Sequence, residues 1–178
     1  AVKGLPDHAR VVFDASSHKG FLEGLPLYNV IVSLRASQRP GFSGFFRHFN
    51  DDYPPFPFYE EDDEPRDQAA AVAMLTMRHV VLRSDDGQVY YARPTHDDAR
   101  FIRPTVTRAP SPPLATNKNL ETSGIHSATL AACLTLGIPV ERGILLANCA
   151  AALATPTSLP TRDSLEAAAT ELLARDQA

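Results

Sequence analysis

The chain has no tryptophan and only two cysteines among its 178 residues. Two thiols make no disulfide framework. Cys133 and Cys149 both fall in apolar, helix-like runs, where a free thiol packs as a small hydrophobe. No stretch of about 18 apolar residues occurs, so no transmembrane helix is expected. No cationic segment followed by an apolar run opens the chain, which gives no sign of a secretory signal. Cys-x-x-Cys spacing is absent, and the six histidines, at positions 8, 18, 48, 79, 96 and 126, lack metal-ligand spacing. Lys and Arg number 17 against 21 Asp and Glu, and the arginines are scattered rather than gathered in a stripe. Nucleic-acid contact, which needs a basic face, is not expected. Together these absences lead us to expect a soluble intracellular protein, cytoplasmic or organellar, without a metal site.

What is present is ordinary in bulk. A 44% apolar and 21% charged composition suits one globular domain spanning 1–178. Fifteen prolines imply long irregular connections. The chain begins with Ala1 rather than Met, which fits a processed chain or a piece of a longer polypeptide.

Val11-Val12-Phe13-Asp14 and Asn29 to Ser33 are apolar runs that predict strands. Phe21, Leu22 and Leu25 between them have helical spacing, so a βαβ unit and a parallel sheet are expected. Residues 39–67 form a different segment, rich in proline, with eight aromatics from Phe42 to Tyr59 and an acidic run from Glu60 to Glu64. A solvated loop has little use for eight aromatics, so this insert is a candidate docking surface. Gln68 to Met77 predicts a helix. His79–Ser84 and Gln88–Ala92, joined across Asp85-Asp86-Gly87, predict a hairpin. Phe101–Val106 is a further candidate strand.

The C-terminal stretch carries the strongest signals. A Gly124 turn precedes a helix from about Ser127 to Leu136, ended by Gly137 and Pro139. A second helix runs from about Val140 to Ala154. Thr161 caps a third, whose apolar stripe is Leu165, Ala169, Leu172 and Leu173.

This end resembles that of the ribokinase-like (PfkB) carbohydrate kinases. The family's signature is Asp-Thr-Thr-Gly-Ala-Gly-Asp, and Glu121, Thr122, Ser123, Gly124, Ile125, His126 and Ser127 lie along it. The helix Leu146 to Ala152 and the run Leu159 to Arg162 match as well. The resemblance implies an α/β fold: a partial ribokinase-like domain, with a largely parallel sheet flanked by helices and a C-terminal three-helix segment. It implies an anion-hole-like turn at Thr122, Ser123, Gly124, Ile125 and His126. Nucleotide-side positions would be Ser84, Gly87 and Asn148, with Asn148 facing the adenine region.

The departures matter more than the matches. In the family, the last signature residue is a carboxylate that accepts the substrate's hydroxyl proton; here it is Ser127, which cannot be that base without an activating partner. His126 is expected to be an exposed or capping residue rather than a substitute base. Ile125 and His126 stand where small residues open the anion hole, and Ser84 stands where the hairpin has glycine. The second strand ends Ser33-Leu34-Arg35 without the family's magnesium-ordering Asn-x-x-Glu. The N-terminal half, with its lid and sugar-binding residues, has no counterpart.

Three functions therefore stay open. The first is an inactive relative serving as a structural or regulatory subunit, with a protein partner and no cofactor. The second is a working carbohydrate or nucleoside kinase using ATP and Mg2+, one piece of a larger enzyme. The third is a nucleotide sensor without catalysis. An inactive subunit predicts that Ile125, His126 and their neighbours fill the cleft where the nucleotide would lie.

Overall fold

The computed structural model describes residues 11–14, 30–35, 64–76, 78–84, 86–94, 104–112, 122–155 and 157–176. The strands are β1 (Val11–Asp14), β2 (Val30–Arg35), β3 (His79–Arg83), β4 (Val89–Arg93) and β5 (Thr105–Ala109). The helices are α1 (Pro65–Thr76), α2 (Thr122–Thr135), α3 (Val140–Leu153) and α4 (Arg162–Asp176). The expected helix at residues 21–25 lies outside the described residues, as does most of the aromatic and acidic insert. The insert's last three residues, 65–67, belong instead to the first turn of α1, where Pro65 loses nothing by having no N–H to donate.

The strands form one sheet in the order β1-β2-β3-β4-β5. β1 pairs with β2 and β2 with β3 in parallel; β3–β4 and β4–β5 are antiparallel. The architecture is α/β as expected, but the sheet is mixed rather than largely parallel. The reason is local: the turn at Asp86-Gly87 returns the chain directly, and β5 then adds to the same edge. Ser84 N–H donates to Gln88 O at 2.8 Å, and Gly87 takes φ of 86°, a conformation glycine adopts without steric cost. The last strand lies at Thr105–Ala109, further along than the apolar count from Phe101 suggested.

Strand alternation sorts the sheet's two faces. Ile31, Val81, Val89 and Tyr91 share a core with Leu130 and Leu134 of α2 and Ile144 and Ala147 of α3. The residues of opposite parity, Val32, Val80, Leu82 and Ala92, are buried on the other face, and α1 packs against β3, β4 and β5. Each fully buried Leu or Ile, such as Leu130 and Ile144, contributes about 1.5–3 kcal/mol, an upper figure given a compact unfolded chain.

The C-terminal helices stack outward. α4 packs through Ala169, Leu165, Leu172 and Leu173 against Leu145, Leu146 and Cys149 of α3 and Cys133 of α2. The predicted ends are present. Ile138 N–H donates to Cys133 O and Gly137 N–H to Leu134 O, with Gly137 at φ 76°, so α2 closes in a Schellman motif. Thr161 Oγ1 accepts from Ser164 N–H at 3.3 Å and caps α4. Arg142 of α3 and Glu166 of α4 form an ion pair across the helix seam. Cys133 and Cys149 are both free and buried, and burial pushes both thiols up.

Candidate functional site

The signature-like residues are helical. α2 begins at Thr122, five residues before the expected start, so Thr122, Ser123, Gly124, Ile125 and His126 form its first turns. Nothing local breaks the helix there. A single glycine costs about 1 kcal/mol relative to alanine in a helix, which packing offsets. Gly124 faces outward, with nothing within 4 Å of where a Cβ would sit. Ser123 and His126 turn inward, and Ile125 is half-buried.

His126 is 0% exposed, which corrects the expectation of an exposed or capping residue. Its Nε2 lies 3.1 Å from Oδ1 of Asn148 on α3. An amide oxygen only accepts, so Nε2–H is the donor in this pair. Asn148, 3% exposed, uses its amide NH2 to donate to the carbonyl of Pro110 at 2.9 Å. One asparagine thus ties α2, α3 and the segment after β5 together. The two positions assigned to opposite sides of a nucleotide, His126 in the turn and Asn148 by the adenine, are bonded to each other.

Ser127 is buried too. Its hydroxyl donates to Ser33 Oγ on β2 at 3.3 Å. At the hairpin, Ser84 is 7% exposed and its hydroxyl reaches both the Asp86 carboxylate and Gln88 O. Asp86 also accepts from Gln88 N–H and from Gln88 Nε2. The Ser84 hydroxyl and the Gln88 donors hold the Asp86 carboxyl below the usual carboxylate range. Among the described residues, no three His, Cys, Asp or Glu side chains converge as a metal-binding group.

An open cleft lies beside this network rather than within it. It holds about 510 Å³ and is lined by the hairpin tip Asp86-Gly87-Gln88, by Arg108 to Pro112, and by Leu172 and Arg175 of α4. Of the nucleotide-side candidates, only Gly87 reaches it. Ser84 sits beneath the hairpin tip, and Asn148 stands behind the Pro110 wall. The sequence gives no hint of this cleft, because its two arginines read as scattered surface charge. Only the placement of α4 beside the end of β5 brings Arg108 and Arg175 to one opening.

No protein-family model and no curated protein matches the sequence. Solved structures do match its fold. A ribokinase from Thermotoga maritima superposes with a TM-score of 0.55 at 15% identity, over 92% of this chain and 50% of its own. A ribokinase from Cryptococcus neoformans, in complex with ADP, gives 0.51 at 13% identity, over 92% of this chain and 52% of its own. The chain therefore has a partial ribokinase-like fold and spans about half the length of these structures.

Proposed function

We propose that this chain is a degenerate ribokinase-like protein without phosphotransferase activity, acting as a structural or regulatory subunit of a larger assembly. The observation that carries this reading is the fate of Ser127. Phosphoryl transfer needs an acceptor for the nucleophile's proton and donors for the charge on the moving group. At the position where the family keeps its carboxylate base, this chain places a buried hydroxyl that donates to Ser33. The neighbouring groups do not fit Mg-ATP either. His126 fills the interior of the turn, and both polar ends of the Asn148 side chain are committed to protein partners. The buried His126 and the committed Asn148 support the inactive reading. A scaffold role also accords with a chain that spans about half the length of the ribokinase structures it resembles.

Calorimetry with Mg-ATP on the native assembly tests the first half of the proposal. No saturable heat and no phosphoryl transfer to pentoses, hexoses or nucleosides are expected. Micromolar binding with turnover would overturn it in favour of an active ATP-dependent carbohydrate or nucleoside kinase. Native mass spectrometry tests the second half, and a lone monomer as the cellular form would remove the subunit role.

A further inference from the structure

The cleft between the hairpin tip, the end of β5 and α4 plays no part in the argument from Ser127, yet it has the properties of a built site. Its volume of about 510 Å³ suits a small molecule. Two arginines line it from different elements, Arg108 from β5 and Arg175 from α4. Arg108 has no acidic partner among the described residues. Arg175 pairs with Glu171 one turn earlier on α4, in an exposed ion pair of the kind worth little. An incoming oxyanion can therefore replace that partner at small cost.

The lining holds one carboxylate against its two arginines, so it offsets only part of their charge. Asp86 is turned into its own hairpin, where Ser84, the Gln88 N–H and the Gln88 amide occupy its oxygens. Gln88 Oε1 accepts in turn from the Tyr90 hydroxyl at 2.7 Å, so the hairpin wall is braced before any ligand arrives. The opposite wall is stiff for other reasons. Pro110 and Pro112 fix their own φ angles, and Asn148 anchors the Pro110 carbonyl from behind. Leu172, Ala109, Pro110 and Pro112 supply apolar surface to the same lining.

Two guanidinium forks on a rigid, partly apolar cleft recognise oxyanions, because each fork matches a carboxylate or phosphate with two parallel hydrogen bonds. We infer that this cleft binds a small organic oxyanion, a carboxylate or a phosphate ester with a short apolar body, between Arg108 and Arg175. The site is separate from the signature turn and needs no metal.

The test is calorimetric titration of the full chain with citrate and, separately, with glycerol 3-phosphate, without magnesium and at low salt. Saturable binding of at least one probe is expected. Arg108→Gln and Arg175→Gln should each weaken it about tenfold, the usual scale for losing a hydrogen bond to a charged group. Arg162→Gln, an exposed arginine at the start of α4 outside the cleft, should leave it unchanged. The tighter probe identifies the headgroup. Absence of saturable binding by both probes, or equal weakening in Arg162→Gln, overturns the inference. Amide shift mapping on the wild-type chain gives a second readout that needs no variant. Shifts centred on Gly87, Ser111 and Arg175 are expected, and shifts centred elsewhere overturn it.

Discussion

His126 Nε2 and Asn148 Oδ1 lie 3.1 Å apart in the buried seam between α2 and α3. The bond joins the residue that would crowd a phosphate to the residue that would face an adenine, and it commits the imidazole Nε2 and the amide oxygen to packing. Asn148→Ala removes the acceptor facing His126 Nε2 and the donor to the Pro110 carbonyl. Buried groups stripped of a partner cost about 1–3 kcal/mol each, so a loss of at least about 2 kcal/mol is expected. Urea denaturation measures it as a lower midpoint. A neutral outcome would mean that the relay bears no weight.

Gly124 and Gly143 should respond oppositely to added side chains. Gly124 lies on the outer face of α2 with open space around it, so Gly124→Ala should stabilise the chain by about 0.5–1 kcal/mol. Were this position a phosphate-binding turn rather than helix, the same change would destabilise. Gly143 of α3 faces α2 so closely that a Cβ would stand 3.2 Å from both Cys133 Cβ and Leu130 Cδ1. Gly143→Val should force the helices apart at a cost of about 1–3 kcal/mol. Thermal melts of the two variants against the parent decide both.

The Tyr91 hydroxyl and His79 Nδ1 share a hydrogen bond of 2.6 Å, with the rings stacked. Burial, with Arg93 nearby, lowers the His79 imidazole below its usual 6.5, against a smaller opposing pull from Glu141. A group lowered on folding favours the folded state above its unfolded pKa and loses that contribution as pH falls through the folded value. Stability should therefore decline as pH drops below about 6.5, because the half-buried imidazole must then carry a charge with little water around it and Arg93 nearby. His79→Gln should flatten that decline in melting temperature between about pH 7.5 and pH 5. Tyr91, pushed up to about 12 chiefly by burial, has the opposite window: its contribution holds below the ordinary value of 10.0 and fades as pH rises toward 12.

The helices and the hairpin were legible because their ends are written locally. Gly137, Thr161 and the Asp86-Gly87 pair each set a backbone conformation or a cap without help from distant residues. The start of α2 was not legible, since nothing between Thr122 and Ser127 differs in propensity enough to choose turn or helix. Packing of Ser123, His126 and Ser127 against the core decided it. The burial of His126 was missed for the same reason. Its partner Asn148 belongs to another helix, and sequence distance conceals the pairing. The Arg108–Arg175 cleft lies further still from any local signal, because it exists only once β5 and α4 are both in place.

β5 closes one side of the sheet, and among the described residues only β4 pairs with it. A strand in that position offers its outer backbone donors and acceptors to any other extended chain, and a charged side chain along the rim is one way proteins discourage such joining. Arg108 sits near the middle of that rim, exposed and opposite Tyr90. Its charge thus guards against edge-to-edge aggregation as well as facing the cleft, and a neutral residue at 108 would cost the chain solubility even where it cost no stability.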